Sequence, residues 1–193
     1  MLDFLLKSKY NKRLFIGIPV YHAVQPILKN LRCTIQHNPK QIRWVPLNNI
    51  HITLYFLGDI SSDQIPKLIQ SIEKNLTLHN FNISFENTGI FYSKGLSKVL
   101  WIGLEFGKKN LTKLNKQLEK AILSSVGNIK TVNFIPHVTV GRIKEKSAKI
   151  DVLPFLKYVY SPIEFSVNSV ILYHSQLSVN GAEYKQIEKI SLN

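Results

Sequence analysis

The sequence is poor in cysteine, since Cys33 is the only one among 193 residues. A single thiol excludes an intrachain disulfide and gives no reason to place the chain in an oxidising compartment. The opening segment, Met1 to Lys7, is too short and misordered for a secretory signal. No apolar run approaches the roughly 20 residues that span a bilayer. We therefore expect a cytoplasmic protein that acts away from membranes.

Acidic residues are also scarce, because 12 Asp and Glu stand against 25 Lys and Arg and give a formal net charge of +13. This excess favours polyanionic partners through Coulomb attraction and counterion release, so nucleic acid is the leading partner class. Arginine is rare among the cations and occurs only at positions 13, 32, 43 and 142. These positions are candidates for sites that need the planar guanidinium fork, although a coding bias gives the same ratio.

The length and composition fit one globular domain. The chain is 45% hydrophobic, which is normal for a folded protein, and it contains no low-complexity linker. We expect residues 1–193 to form a single domain with two pseudo-symmetric lobes, acting as a monomer. Residues 1–12 are expected to be a basic, loosely held lead-in.

Two triplets of the form His-x-Thr are the most informative feature of the chain. The first is His51-Ile52-Thr53 and the second is His137-Val138-Thr139. Successive side chains on a β-strand point to opposite faces, so each His shares a face with its Thr while the middle residue points the other way. One face of each strand is therefore available for chemistry and the other for packing.

The triplets belong to a wider repeat. They are 86 residues apart, and the same offset carries the segment 14–18 onto 100–104. A weaker match relates 87–92 to 168–173 at an offset of 81. We interpret the pattern as an internal duplication in which each half presents one triplet to a shared groove. Chance similarity of apolar strands is the lesser explanation, because two blocks share one offset.

Hydrophobic periodicity gives a coarse element order. It predicts helices at about 21–37, 65–76, 111–126 and 151–158, the second capped by Ser61, Ser62 or Asp63. It predicts strands at about 13–20, 51–58, 81–92, 98–106, 134–143, 163–167, 170–177 and 183–190. In the strand from His51, we expect His51, Thr53 and Tyr55 on one face and Ile52, Leu54 and Phe56 on the apolar face. Helices interleaved with strands and hairpins indicate an α+β protein.

Paired imidazoles are the working parts of general acid-base catalysis near neutral pH, one accepting a proton while the other donates one. Threonine hydroxyls are neutral donors suited to phosphate oxygens, and Arg142 offers a charge-assisted contact to phosphate. Zinc is the competing chemistry for paired histidines. It needs at least three protein ligands, and each triplet carries Thr where a second ligand would stand. We therefore expect no metal site.

These residues resemble a known superfamily. The two triplets, the run Arg43-Trp44-Val45-Pro46 followed by Asn49, and Phe134 with Pro136 are similar to the 2H phosphoesterases. The closest match is to the LigT-like RNA 2′,3′-cyclic phosphodiesterases, also named 2′-5′ RNA ligases. The resemblance covers nearly the whole chain from Arg13 onward. It implies a bilobal, duplicated α+β fold, with two antiparallel or mixed sheets flanked by helices around a central cleft.

The resemblance also implies an activity, the opening of RNA 2′,3′-cyclic phosphate ends or cyclic nucleotides to 2′-phosphates without metal or cofactor. It assigns the site residues as an acid-base pair, His51 and His137, with the phosphate ligands Thr53, Thr139 and Arg142. Strict alternation places Arg142 on the face opposite His137. A bulge or strand end at Gly141 would return it to the site.

Two alternatives stay open. The same histidines suit a 2′-5′ linkage phosphodiesterase or ligase, whereas a non-catalytic RNA or nucleotide binder would not need two proton-transfer groups. Aromatic rings that are candidates for base stacking are Phe134, Trp44, Tyr92 and Tyr173, although strand aromatics are more often core residues. The lysines with the best claim to contact the RNA backbone are Lys144, Lys146 and Lys149.

Overall fold

The structure, a computed structural model, describes residues 11–36, 41–93, 96–127, 133–144, 150–179 and 181–192. The strands in this part of the chain are β1 (Asn11–Pro19), β2 (Ile42–Trp44), β3 (His51–Ser61), β4 (Phe81–Ser93), β5 (Leu96–Leu104), β6 (Val138–Ile143), β7 (Ile163–Val167), β8 (Ser169–Ser178) and β9 (Gly181–Ser191). The helices are α1 (Tyr21–Cys33), α2 (Ile65–Asn75), α3 (Lys108–Val126) and α4 (Leu153–Leu156). The predicted α+β class is confirmed.

The strands form one antiparallel sheet, whereas the resemblance to the 2H phosphoesterases implied two. The order is β7-β4-β5-β6-β3-β1-β8-β9, and β2 pairs with the outer part of β6. The two halves of the sheet meet between β3 and β6, where one residue pair, Ile52 opposite Val138, joins them. The expected sheets are therefore present as the two halves of a continuous sheet.

The strand order is symmetric about the β3–β6 contact. Strand β1 flanks β3 as β5 flanks β6, and β8 and β4 come next on the two sides. Strand β4 belongs to the first half of the chain but pairs with β5 of the second half. Strand β8 belongs to the second half but pairs with β1 of the first. Each half thus completes the sheet of the other. This arrangement supports the predicted duplication and the equivalence of the segments in β4 and β8.

The pairing register corrects one predicted offset. Gly17 lies opposite Thr53, and Trp101 lies opposite Thr139, so β1 and β5 are related by 84 residues and not by 86. A two-residue slip leaves every side chain on the same face of its strand. The apolar pattern therefore matches almost equally well at either offset, and only the hydrogen-bonded partners distinguish them.

Strand β3 carries a bulge directly after its triplet. Gly17 pairs with Thr53 but Ile16 pairs with Tyr55, which leaves Leu54 as an extra residue. The bulge reverses the faces beyond it, so Tyr55 is buried while Phe56 is 64% exposed. The predicted assignment of Tyr55 to the polar face and Phe56 to the apolar face is wrong for this reason.

Strand β6 carries the equivalent bulge. Trp101 pairs with Thr139 and Leu100 pairs with Gly141, which leaves Val140 as the extra residue. Val140 is the counterpart of Leu54, because both lie one residue after the threonine of their triplet. A bulge was predicted at Gly141, and the structure places it one residue earlier.

The backbone carbonyl of each bulge residue accepts a hydrogen bond from outside the strand pair that contains the bulge. The side-chain Nδ2 of Asn115 on α3 donates to the Leu54 carbonyl at 2.6 Å. The backbone N–H of Val45 donates to the Val140 carbonyl at 3.0 Å. Each bulge is therefore stabilised by a hydrogen bond from a neighbouring part of the fold.

The helices follow the predicted apolar faces but differ at their ends. On α3, Leu111, Leu114, Leu118 and Ile122 are buried as predicted. Helix α1 ends at Cys33, short of the predicted His37, which lies outside the described residues. Helix α2 has no side-chain N-cap, because a 3-10 turn at Ser62–Gln64 leads directly into it. The predicted capping role of Ser61, Ser62 or Asp63 is therefore wrong.

The Asn115 bond gives a testable consequence for stability. We expect Asn115→Ala to lower the free energy of unfolding by about 1–3 kcal/mol, because a buried carbonyl loses its donor. Asn115→Asp should cost at least as much, since a carboxylate keeps the shape but cannot donate. Urea unfolding measures both. The neighbouring exposed Lys116→Ala is the control, and an Asn115→Ala variant as stable as this control would contradict the role given to the bond.

Candidate active site

The two triplets meet at the centre of the sheet. Ile52 and Val138, the middle residues, are both 0% exposed and lie directly opposite each other. In this antiparallel register, His51 lies on the side of Thr139, and Thr53 lies on the side of His137. The apolar faces pack into the core, and the histidines and threonines occupy the opposite face.

The ring of His51 is fixed by two hydrogen bonds. Its Nδ1–H donates to the backbone carbonyl of Asn49 at 2.7 Å, because a carbonyl can only accept. That bond sets the neutral tautomer, so Nε2 carries the lone pair and accepts from the Thr53 hydroxyl at 2.9 Å. Asn49 is held in turn, since its side-chain Nδ2 donates to the Ala182 carbonyl at 2.6 Å.

His137 repeats this arrangement in the second half. Its Nδ1–H donates to the backbone carbonyl of Ile135 at 2.7 Å, again the residue two positions earlier. The neutral tautomer is therefore the same, and Nε2 is the nitrogen available for proton transfer. The duplication is therefore visible in the strand order and also in the hydrogen bonds that orient the two imidazole rings.

Aromatic rings surround both histidines. Phe15 lies 4.9 Å from the His51 ring centroid, and Tyr184 contacts it edge-on at 5.3 Å. Phe91 contacts the His137 ring edge-on at 4.8 Å. These rings exclude water from one side of each imidazole, which makes a charged imidazole costly.

Burial lowers the pKa of both histidines, because desolvation disfavours the charged form. The pKa of His51 falls to about 4, chiefly through burial, and the positive charges of His137 and Arg142 lower it further. The pKa of His137 is lowered in the same way by burial and by Arg142. Hydrogen bonding to Asn49 and Ile135 opposes these shifts without reversing them.

The bulge at Val140 explains how Arg142 reaches the histidines. Without the extra residue, Arg142 would lie on the face opposite His137. With it, Arg142 lines the same cleft as His137 and Thr139, and its charge acts on both imidazoles. The equivalent position in the first half is the exposed Phe56, so one side of the cleft carries a cation and the other a phenyl ring.

The cleft has about 680 Å³ of open space. Its lining residues include Thr53, Phe56, Asn115, Phe134, His137, Thr139 and Arg142. His51 lies directly behind Thr53, to which it is hydrogen-bonded. The structure therefore brings together all five residues that the sequence suggested for the site.

Several contributors were not identified from the sequence. Gly17 is one, because a Cβ there would stand 3.1 Å from Cδ2 of His51 and 2.9 Å from the Ile52 carbonyl. A larger residue at this point of β1 would crowd the Ile52 carbonyl and the His51 ring. Tyr184 and Phe91 are others, and they approach the histidines from strands far away in the sequence. Pairing of distant strands decides these contacts, and local sequence patterns do not report it.

The stacking candidates take different positions. Phe134 lines the cleft, and Trp44 lies beneath the Arg32 guanidinium, 5.6 Å from its ring centroid. Tyr173 stacks on Phe15 at 5.0 Å behind His51, and Tyr92 is 60% exposed at the end of β4. Among the lysines, Lys144 is exposed beyond β6, whereas Lys146 and Lys149 lie outside the described residues.

The residues that the structure describes bear on metal binding and on membrane crossing. No group of three or more His, Cys, Asp or Glu side chains in this part of the chain is placed to hold a metal ion. No helix in the same residues is long and apolar enough to cross a membrane.

Comparison with known proteins gives consistent matches. The 2′-5′ RNA ligase superfamily matches residues 19–178. An RNA 2′,3′-cyclic phosphodiesterase of Aquifex aeolicus (strain VF5) is 35% identical over 189 residues, covering 93% of this chain and 97% of the relative. A protein of the same name from Archaeoglobus fulgidus is 32% identical over 182 residues, covering 91% of this chain and 97% of the relative.

Solved structures agree on the fold. Apo LigT of Escherichia coli is similar with a TM-score of 0.74 and 20% identity, over 95% of this chain and 98% of LigT. A Thermus thermophilus protein is similar with a TM-score of 0.76 and 23% identity, over 93% of this chain and 97% of that protein. These likenesses confirm the LigT-type fold. Because the family match covers most of the chain and the two relatives align along nearly all of it, the chain belongs to the 2′-5′ RNA ligase superfamily.

Proposed function

We propose that the protein hydrolyses RNA 2′,3′-cyclic phosphate ends to 2′-phosphates without a metal ion. One observation carries the proposal: two imidazoles, each fixed through Nδ1 by the carbonyl two residues earlier, stand on adjacent strands beside one cleft, which His137 lines and His51 reaches through its bond to Thr53. Relatives aligned along nearly the whole chain are RNA 2′,3′-cyclic phosphodiesterases. LigT of E. coli has been solved with 3′-AMP and with phosphate, which fits a cleft for phosphorylated nucleosides.

The pair performs two proton transfers. A neutral imidazole takes a proton from water at Nε2 as the water oxygen bonds to phosphorus. The bond from phosphorus to the 3′ oxygen breaks, and that oxygen takes a proton from the Nε2–H of the imidazolium. The product carries a 2′-phosphate and a free 3′-hydroxyl. The pair ends with its proton on the other histidine and returns to the starting state by exchange with solvent.

Thr53, Thr139 and Arg142 are proposed to hold the phosphate. The Thr53 hydroxyl sits 2.9 Å from Nε2 of His51, so it borders the position where a reacting oxygen must lie. Thr139 occupies the matching place in the second half, and Arg142 supplies a guanidinium fork for charge-assisted bonds to phosphate oxygens. Charge that develops on these oxygens during the reaction is stabilised by donors already in place.

We also propose that residues 1–193 form one domain that acts as a monomer in the cytoplasm, on RNA with a cyclic phosphate end or on a cyclic nucleotide. Each half contributes one triplet to a cleft within a single chain, so the site needs no second copy. One core cluster contacts both halves of the sheet. The single cysteine is exposed and supplies no disulfide, which suits a reducing compartment.

The decisive assay incubates purified protein, in EDTA, with an oligonucleotide ending in a 2′,3′-cyclic phosphate and with a 2′-5′-linked oligonucleotide. We expect rapid conversion of the first to a 2′-phosphate, identified by comparison with 2′- and 3′-phosphate standards. A 3′-phosphate product would show that the acid and base act on other oxygens. Faster cleavage of the 2′-5′ linkage would favour the alternative activity.

Replacing either histidine tests the acid-base pair. His51→Ala and His137→Ala should each lower kcat by about 10² to 10⁴, the range for positioned acid-base groups. The control is His22→Ala on α1, an exposed histidine away from the cleft. Loss of activity in EDTA that zinc or manganese restores would contradict metal-free catalysis.

Arg142 links phosphate binding to the pH profile. The reactive state has one neutral and one charged imidazole, so kcat/KM should be bell-shaped in pH, with limbs that belong to the coupled pair. Both pKa values are lowered from 6.5, so both limbs should lie on the acid side of pH 6.5 in the free enzyme. Arg142→Gln removes a cation that lowers both values, and should therefore move the limbs to higher pH as well as raise KM.

Arg142→Lys is the matched comparison. It keeps the charge and should keep the limbs near their wild-type positions, while binding weakens because an ammonium cannot reproduce the fork. Rates measured from pH 4 to 9 for the three proteins separate the effects. Identical profiles for Arg142→Gln and the wild type would show that Arg142 does not act on the histidines.

A further inference from the structure

A second groove lies beside the catalytic cleft and is rich in arginine. We call it the arginine groove and define it by Arg43, Trp44, Asn49, Arg142, Leu177 and Tyr184. It has about 550 Å³ of open space. It adjoins the cleft, because Arg142 lines both and Tyr184 contacts the ring of His51 edge-on.

The two arginines of the groove are cross-strand partners. Arg43 on β2 lies opposite Arg142 on β6, and directly opposed side chains of a sheet have Cβ atoms about 4.5–5.5 Å apart. Like charges in this position repel each other unless an anion lies between them. Among the described residues, no carboxylate forms an ion pair with either guanidinium. Within the described residues, the groove therefore holds two guanidiniums without a carboxylate partner.

The Arg43 guanidinium comes close to the hairpin between β8 and β9. Gly181 has a φ of +125°, a backbone conformation that favours glycine, and its nearest side-chain neighbour is the guanidinium end of Arg43. The same hairpin is tied to the first triplet, because Asn49 donates to the Ala182 carbonyl and accepts from His51. The hairpin that approaches Arg43 is thus connected to His51 through Asn49.

A third cation strengthens the field at this end of the site. The charges of Arg142, Arg43 and Arg13 all act on Tyr184, so three of the four arginines of the chain gather around one phenol. Burial nevertheless raises the pKa of Tyr184, which keeps its hydroxyl protonated and able to donate. A hydroxyl donor that lies within the field of several guanidiniums is suited to the oxygens of a phosphodiester.

We propose that the arginine groove binds the phosphodiester immediately 5′ of the terminal nucleotide, with Arg43 as its main ligand, while Arg142 faces the reacting cyclic phosphate. The proposal rests on the proposed function of the cleft and deepens it. In an RNA chain, the anion nearest to the terminal cyclic phosphate is the linkage to the preceding nucleotide. A groove that adjoins the cleft and carries a second guanidinium, that of Arg43, suits that anion. The preferred substrate is then an RNA end of at least two nucleotides, and not a cyclic mononucleotide.

Three substrates isolate this contact. The first is adenosine 2′,3′-cyclic phosphate, which lacks the second phosphate. The second is the adenosine dinucleotide with the same cyclic end. The third is that dinucleotide with a neutral methylphosphonate linkage. For each protein, the quantity compared is kcat/KM for a dinucleotide divided by kcat/KM for the mononucleotide.

We expect the wild type to prefer the charged dinucleotide about tenfold or more, the size of one charge-assisted contact. Arg43→Gln should remove most of that preference, and Arg43→Lys should restore only part of it because the fork is lost. With the methylphosphonate dinucleotide, the wild type and Arg43→Gln should give the same ratio. Lys67→Gln, which removes an equal charge from exposed α2, is the control and should keep the wild-type ratio. Circular dichroism and urea unfolding establish that the variants are folded.

Two results overturn the proposal: a wild type without preference for the charged dinucleotide, or an Arg43→Gln variant that retains it. If no substrate is hydrolysed, the proposed function fails. The role of the arginine groove is then tested separately by measuring binding. Calorimetry then compares the dinucleotide ending in a 3′-phosphate with adenosine 3′-phosphate. A preference for the dinucleotide that Arg43→Gln removes supports the groove without the activity, and an unchanged preference overturns both.

Discussion

The contact between Ile52 and Val138 is the constraint on which the site depends. Within the described residues, it is the one backbone pair between β3 and β6, and its two members are the middle residues of the triplets. Burial of both side chains fixes which faces point inward, so the histidines and threonines must share the outer face. A one-residue slip at this contact would turn one triplet into the core. The hydrophobic core therefore specifies the catalytic geometry through the register of a single pair.

The cleft that results is electrostatically unfavourable when empty. Two imidazoles are desolvated by aromatic rings, and the cation facing them lowers the pKa of both. A phosphodiester anion reverses these effects, because its negative charge favours protonated imidazole and neutralises Arg142. Binding of the anion thus favours the protonation state from which the chemistry begins, in which one of the two imidazoles is charged. The fixed Nδ1–H bonds add to this by removing the need to choose a tautomer in each catalytic cycle.

The sequence predicts the elements and the site residues better than it predicts their connections. Period-two alternation and helical spacing are local patterns that the sequence shows directly. The triplets, the buried face of α3 and the α+β class are therefore evident from the sequence. The offset between β1 and β5 is not, because slips of two residues preserve the alternation. The capping role predicted for Ser61 to Asp63 fails because a 3-10 turn continues directly into α2. Union of the two halves into one sheet depends on strand exchange by β4 and β8, which no local pattern reports.

The two bulges show where the two halves of the duplicated scaffold come to differ. Leu54 and Val140 interrupt their strands at equivalent points, and each brings the second residue beyond it to the cleft face. In the first half that residue is Phe56, and in the second it is Arg142. The scaffold is symmetric, but an RNA end is not, since it offers a flat nucleoside and a charged phosphate. The two matched positions therefore differ in what they bind: a phenyl ring packs against a flat nucleoside, and a guanidinium forms charge-assisted bonds to phosphate oxygens.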